Sequence, residues 1–238
     1  MHNLILIRHG QSLWNKEKRF TGWADIGLSE RGKLEAELAG KLIKELSINI
    51  DACFTSVQKR AVNTLKIILN ILDKKNSTIT KAWEFNERHY GDLTGLNKDE
   101  VLIKHGKEQV QIWRRSFSIP PPPMKFQHPH IKKTYYINVP KNRIPQSESL
   151  KDTFERVVPY YKKKIIPFMS LKKNILISAH GNSLRALCKN IFNISEKNII
   201  NFEIPTGNPM LIRFEDNLVI KDYKYLDNTR AKKILNNV

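Results

Sequence analysis

Leu4-Ile5-Leu6-Ile7-Arg8-His9-Gly10-Gln11-Ser12 is answered, far along the chain, by Ile175-Leu176-Ile177-Ser178-Ala179-His180-Gly181-Asn182-Ser183. Each stretch is a short aliphatic run ending in His-Gly and small polar residues, the pattern of a buried strand passing into a turn. Open α/β sheets gather their ligands at the carboxyl ends of their strands. Two such ends, each carrying an imidazole, predict that His9 and His180 share one crevice, and the cationic Arg8 makes an anion the natural guest. One His in this position more often only caps a strand. A matched pair, with Arg, Gly and Ser around it, reads as a site.

Outward from these stretches, the chain alternates strand and helix patterns. Residues 3–7 read as the first strand. From Ser29 to Leu46, Leu34, Leu38, Leu42 and Leu46 recur every fourth position and predict one apolar helix stripe. A short strand follows at Ala52–Thr55, then a helix with Ala61, Leu65, Ile68, Leu69 and Leu72 on one face. A third strand is expected at Thr80–Glu84 and a polar helix pair over Lys98–Ser116. A helix is expected over Ser149–Met169, with Ser149 and Asp152 at capping-box spacing and Pro159 forcing a kink or break. The second signature strand, 174–179, leads into a helix over Ser183–Phe192, and Met210–Phe214 with Leu218–Tyr223 form a hairpin. This order predicts an α/β fold: a mostly parallel central sheet, helices on both faces, one antiparallel strand. We expect a single domain over 1–238. Residues 119–145, with four successive prolines at 120–123, interrupt it as a loop or insertion on the sheet's rim.

Composition narrows the function. The 238 residues are 40% hydrophobic with 10 Gly and 11 Pro, an ordinary soluble globule. The net charge of +18 is spread along the chain without the dense blocks of a nucleic-acid tail. We read most of it as solvated surface and expect no nucleic-acid partner. Cys53 and Cys188 sit inside apolar stretches, as reduced core residues do. No apolar stretch reaches the length of a membrane span, and there is no export signal at the amino terminus. The expectation is a cytoplasmic protein with no membrane partner.

A phosphate-handling pocket needs a nucleophile, fixed positive charge, backbone amides at a helix start and a proton donor for the leaving oxygen. His9 is the candidate nucleophile, provided a hydrogen bond to one nitrogen fixes its tautomer. Arg8, Arg60 and His180 supply a positive surround, and arginine's planar fork suits phosphate. Asn182 and the amides beginning the Ser183 helix add donors where the helix dipole favours an anion. Glu87, in Asn86-Glu87-Arg88-His89-Tyr90-Gly91, is the candidate proton carrier; the alternative is a plain ion-pair partner for Arg88. Arg114 and Arg115 are either a solvated helix end or, turned inward, a grip on a second anionic group. Neither His9 nor His180 has ligand-spaced partners, and there is no Gly-rich nucleotide loop, so the chemistry is expected to need no metal and no nucleotide.

These residues resemble the histidine phosphatase superfamily and, within it, the cofactor-dependent phosphoglycerate mutases. The likeness rests on Arg8-His9-Gly10, Asn15, Arg19-Phe20-Thr21-Gly22-Trp23, Leu28-Ser29-Glu30 and Thr55-Ser56 with Lys59-Arg60-Ala61. It continues in Asn86 to Gly91, Gly95-Leu96-Asn97-Lys98, Trp113-Arg114-Arg115, Ser178 to Arg185 and Ile204-Pro205-Thr206-Gly207, so it spans nearly the whole chain. The resemblance implies a phosphoglycerate mutase-like fold and His9 as the residue that becomes phosphohistidine. It implies Arg8, Arg60 and His180 around the transferred phosphoryl group, with Glu87 as acid and base. Asn15, Thr21, Gly22, Arg88, Tyr90, Lys98, Arg114, Arg115, Gly181 and Asn182 would bind substrate. It further implies interconversion of 3-phosphoglycerate and 2-phosphoglycerate, 2,3-bisphosphoglycerate as primer, small-molecule phosphoglycerates as the partners, and a homodimer. In this family a mobile tail often helps cover the site, and here the tail, 227–238, is short.

The sequence departs from the family at Gln11, where many relatives carry Glu, and at Asp92 and Thr94, which alter the charge of the rim. Two competing readings share the pocket. A phosphohydrolase of the same superfamily would release phosphate to water, but has no need of the Arg114-Arg115 grip. A non-catalytic binding protein would be expected to have lost His9 or Glu87.

Overall fold

The computed structural model describes residues 2–126, 128–131 and 139–231. Parts of the Pro-rich stretch (127 and 132–138) and of the tail (232–238) lie outside the described residues. Six strands form one sheet in the order β3-β2-β4-β1-β5-β6. They are β1 (His2–Arg8), β2 (Ala52–Thr55), β3 (Ile79–Lys81), β4 (Ile175–Ala179), β5 (Met210–Phe214) and β6 (Ile220–Tyr225). The helices in chain order are α1 (Leu13–Lys16), α2 (Glu30–Glu45), α3 (Lys59–Ile71), α4 (Lys98–His105) and α5 (Lys107–Arg115). They continue with α6 (Leu150–Tyr160), α7 (Ile166–Ser170), α8 (Gly181–Ile191) and α9 (Glu196–Ile199). None of the described helices is long and apolar enough to cross a membrane.

The two signature strands are neighbours. β1 pairs with β4 in parallel, with Arg8 opposite Ala179, so both His-Gly turns leave the sheet at the same edge. β5 pairs antiparallel with both β1 and β6 and alone runs against the other five strands. The period-two alternation of strands divides the core in two. Leu4 and Leu6 of β1, with Ile175, Ile177 and Ala179 of β4, pack beneath α6 and α8. Ile5 and Ile7, with Leu176, face α2 and α3 on the other side.

Several expected elements are corrected. The leucine stripe of α2 is not its buried face: Leu34 and Leu38 are 64% and 41% exposed, while Gly32, Ala36, Ala39, Gly40 and Ile43 are buried. Close approach is the reason. A Cβ on Gly10 would stand 2.0 Å from Gly32 O, and one on Gly40 would stand 2.9 Å from Ile71 Cβ. The helix thus lies against the turn after β1 at Gly32 and against α3 at Gly40, two points where a Cβ has no room. The third strand is shorter than expected, ending at Lys81 before a 3-10 turn at Trp83–Phe85. The Ser149–Met169 helix is three pieces: α6 with Pro159 in its last turn, a π turn at Tyr161–Ile165, and α7. Its Ser149–Asp152 capping box forms as spaced.

Pro122, near the start of the Pro-rich stretch, is tied to the Tyr90–Thr94 turn. Asp92 N–H donates to Pro122 O, and Ser147 Oγ donates to Pro121 O. Gly91 is left-handed (φ +56°), and a Cβ there would meet Pro122 O at 1.9 Å.

Candidate active site

At the carboxyl edge of β1 and β4 opens a cavity of about 220 Å³, smaller than the ~300–1,000 Å³ of drug-sized pockets. Its deepest groups are fully buried. His9 Nδ1 lies 2.7 Å from Gly10 O. A carbonyl only accepts, so Nδ1 carries the proton and Nε2 keeps its lone pair. Arg60 Nε donates to that Nε2 at 3.3 Å, while its terminal nitrogens donate to Ala24 O and Gly22 O. Burial, with Arg60 and Arg8 nearby, holds the His9 pKa well below 6.5, so the ring is neutral.

The ring of His180 stands edge-on to His9 with centroids 4.9 Å apart. Its Nε2 hydrogen-bonds Ser56 Oγ at 2.7 Å, and burial, then Arg60 and His9, depress its pKa as well.

Glu87 comes from the other side of the cavity and is held by its backbone. Its N–H donates to Gln58 Oε1, and its carbonyl accepts from Trp23 Nε1 at 2.7 Å and Arg156 Nη2 at 3.1 Å. Its carboxylate Oε1 accepts from the N–H of Arg88 and from that of Asn182 at the start of α8. A carboxylate at a helix amino terminus is electrostatically favoured. Arg156 and Glu148 form a buried bidentate pair behind this segment, with N–O distances of 2.7 and 2.9 Å. Glu148 also accepts from His89 N–H, so the pair straps the chain on both sides of Glu87.

The remaining wall comes from α4 and α5, which bring Lys98, Arg114 and Arg115 to the cavity beside Asn15, Thr21, Gly22, Tyr90, Gly181 and Asn182. Arg88 lies beneath the Tyr90 ring, 4.7 Å from its centroid. Burial resists ionisation of Tyr90, but Arg88 and Lys98 outweigh it and bring the hydroxyl below its ordinary value. Burial lowers the Lys98 pKa, with Arg114 and Arg8 adding to the effect and Tyr90 opposing it.

Most residues singled out from the sequence therefore meet in one cavity. His180 and Arg88 are the exceptions; they stand behind the wall, against His9 and Tyr90. The Glu87 carboxylate takes backbone N–H groups, while the Arg88 guanidinium donates from Nη2 to Arg114 O. Arg19, Phe20, Arg185, Glu203 and Ile204 also line the cavity and were not expected there. Arg185 was discoverable: it follows Asn182 by one helical turn. Its Nη1 donates to Asn182 Oδ1 at 2.8 Å, and burial, then Arg115, pushes its pKa down to about 9.

Buried polar atoms at or just behind the wall that have no hydrogen-bond partner among the described residues include Arg8 Nε, Thr21 Oγ1, His180 Nδ1 and Arg185 Nε. Unpaired buried polar groups are costly, and a guest rich in acceptor oxygens would satisfy them. The wall is cationic, which suits a multiply charged anion and repels metal cations. Among the described residues, no cluster of three or more His, Cys, Asp or Glu is placed to hold a metal.

The sequence matches the family described as Histidine phosphatase superfamily (branch 1) over residues 4–129 and 123–222. It is 51% identical over 237 residues to a 2,3-bisphosphoglycerate-dependent phosphoglycerate mutase of Pelagibacter ubique (strain HTCC1062), covering 99% of each chain. A protein of the same description from Sphingopyxis alaskensis is 50% identical, over 95% of this chain and 99% of that one. Among solved structures, a mycobacterial glucosyl-3-phosphoglycerate phosphatase superposes with TM-score 0.68 at 18% identity, covering 94% of this chain and 97% of that one. Bacillus stearothermophilus YhfR superposes with TM-score 0.69 at 20% identity, covering 92% and 94%.

Proposed function

The chain belongs to the histidine phosphatase superfamily, and from that premise we propose that it interconverts 3-phosphoglycerate and 2-phosphoglycerate through a phosphohistidine at His9. One observation carries the choice of a mutase over a hydrolase. The wall around the buried His9 centre is lined by a second cationic group, Lys98, Arg114 and Arg115, from a separate helix pair. A substrate that must present either of two oxygens to one nucleophile needs such a grip on its other anionic end.

In this reading His9 Nε2 attacks phosphorus while the bond from phosphorus to the donor oxygen breaks, and the Nδ1 hydrogen bond to Gly10 O orients the ring. Arg60 shifts its Nε hydrogen bond from His9 Nε2 to the phosphoryl oxygens, joined by Arg8 and His180, which stabilise the charge on those oxygens in the transition state. Glu87 gives its proton to the leaving oxygen. On the return step it takes a proton from the attacking hydroxyl, as the N–P bond breaks. Asn182 and Tyr90, joined at 3.2 Å, bind the anionic end that does not react. When bound, 2,3-bisphosphoglycerate supplies the phosphoryl group that first charges His9, and the cationic wall with its unpaired donors fits such a guest.

The test follows 3-phosphoglycerate by phosphorus NMR, with and without a trace of 2,3-bisphosphoglycerate and with EDTA throughout. We expect 2-phosphoglycerate to appear, to depend on the primer and to be insensitive to EDTA. Release of inorganic phosphate without 2-phosphoglycerate would overturn the mutase in favour of a hydrolase.

A further inference from the structure

Two carboxylates line the cavity among the described residues. Glu87 has a task in the reaction. Glu203 does not, and it stands within a wall otherwise furnished with arginines and a lysine.

Arg115 Nη2 donates to Glu203 Oε1. The two side chains are 21% and 44% exposed, so water and a solute can reach both. The position of Glu203 is fixed from its backbone. Tyr225 Oη donates to Glu203 O at 3.4 Å. The next carbonyl, Ile204 O, accepts from Arg8 Nη1 at 2.9 Å, and Gly207 N–H donates to Arg8 O. The Glu203–Gly207 segment therefore runs from the cation beside His9 to a cation of the α5 wall. It carries a negative charge to the latter.

We propose that Glu203 is a specificity-determining residue, a built-in competitor for Arg115. Its carboxylate occupies the guanidinium that the guest's own anionic group must reach, so binding proceeds by exchange of one carboxylate for another. This rests on the reading of the cavity as a phosphoglycerate site. The exchange weakens the hold on every anionic guest and favours those able to offer Arg115 more charge than Glu203 does. A guest that lacks a second anionic group leaves the Glu203–Arg115 pair intact and gains nothing from Arg115.

The experiment compares Glu203→Gln and Glu203→Asn, two neutral replacements at a partly exposed position, with the charge-conserving Glu203→Asp. KM for 3-phosphoglycerate, kcat and the calorimetric Kd for 3-phosphoglycerate are read for each. We expect both neutral variants to lower KM and Kd by about two- to fivefold, the scale of an accessible ion pair, with KM moving more than kcat. Glu203→Asp should stay nearer the parent. A KM and Kd equal to or above the parent's in the neutral variants would overturn the proposal and make Glu203 a support that holds Arg115 in place. A parent that neither binds nor converts 3-phosphoglycerate would instead sink the mutase reading, so the two failures are distinguishable.

Discussion

At the bottom of the cavity, Arg60 is 1% exposed and donates to Ala24 O, Gly22 O and His9 Nε2, while Glu87 is held at N–H, carbonyl and carboxylate. In the α4–α5 wall, Lys98, Arg114 and Arg115 are only partly buried, and Arg115 rests on a partner that a solute can replace. The contrast follows the chemistry each region serves. A transition state tolerates little error, so its surround is preorganised and dry. A substrate that must turn between two orientations needs attraction without one fixed geometry, which long side chains at a solvent boundary supply.

Predictions can break or sharpen this contrast. The largest effect is expected at His9. His9→Ala should lower turnover on the order of 10⁴-fold or more and abolish labelling of the protein from radioactive primer; retained activity would remove the nucleophile from the scheme. Glu87→Gln, nearly isosteric, should lower kcat by about 10²–10⁴-fold with a smaller change in KM. Arg156→Met leaves Glu148 buried without its partner and should cost about 3–5 kcal/mol in urea unfolding; a loss below 1 kcal/mol would show that the brace behind Glu87 is dispensable.

Protonation is a further probe of the buried region. His9, His180 and His89 all have folded pKa values below the usual 6.5, the last at about 4, chiefly because burial disfavours the cation. Below pH 6.5 the unfolded chain takes up protons that the folded chain refuses, so stability falls with falling pH. For His89 this window runs from 6.5 to about 4. Each group contributes a slope of up to ~1.4 kcal/mol per pH unit, to be measured by urea titrations from pH 7 to 4.5. The smallest effect belongs to the exposed wall. Arg114→Gln should raise KM about tenfold, the weight of a charge-assisted hydrogen bond, leave kcat within a few-fold and weaken the dependence of KM on salt.

The same contrast governs what could be read from the chain. His9, Gly10, His180 and Gly181 announce themselves because strand ends carrying polar turns are local patterns, and β1 and β4 lie where those patterns put them. α3 buries Ala61, Leu65, Ile68 and Leu69 as its period predicts. α2 misleads, since the four-residue leucine period is stronger than the weak signal of Gly32, Ala36 and Gly40. The choice between those faces depends on how closely neighbouring backbone approaches, which no single segment encodes. Glu203 and the Glu148–Arg156 brace belong to no local pattern. Their meaning arises only from partners 88 and 8 positions away, seen against a cavity wall.

The pairing of β1 with β4 has one more consequence. Asn3 N–H meets Asn174 Oδ1 across 171 positions, and β1 finds its partners only in the last third of the chain. A ribosome making this protein holds an aliphatic strand with bare edges for most of synthesis, and high contact order slows the search that follows. Cutting the chain between α5 and α6 would leave neither piece with a paired β1, so activity should return only when both pieces fold together.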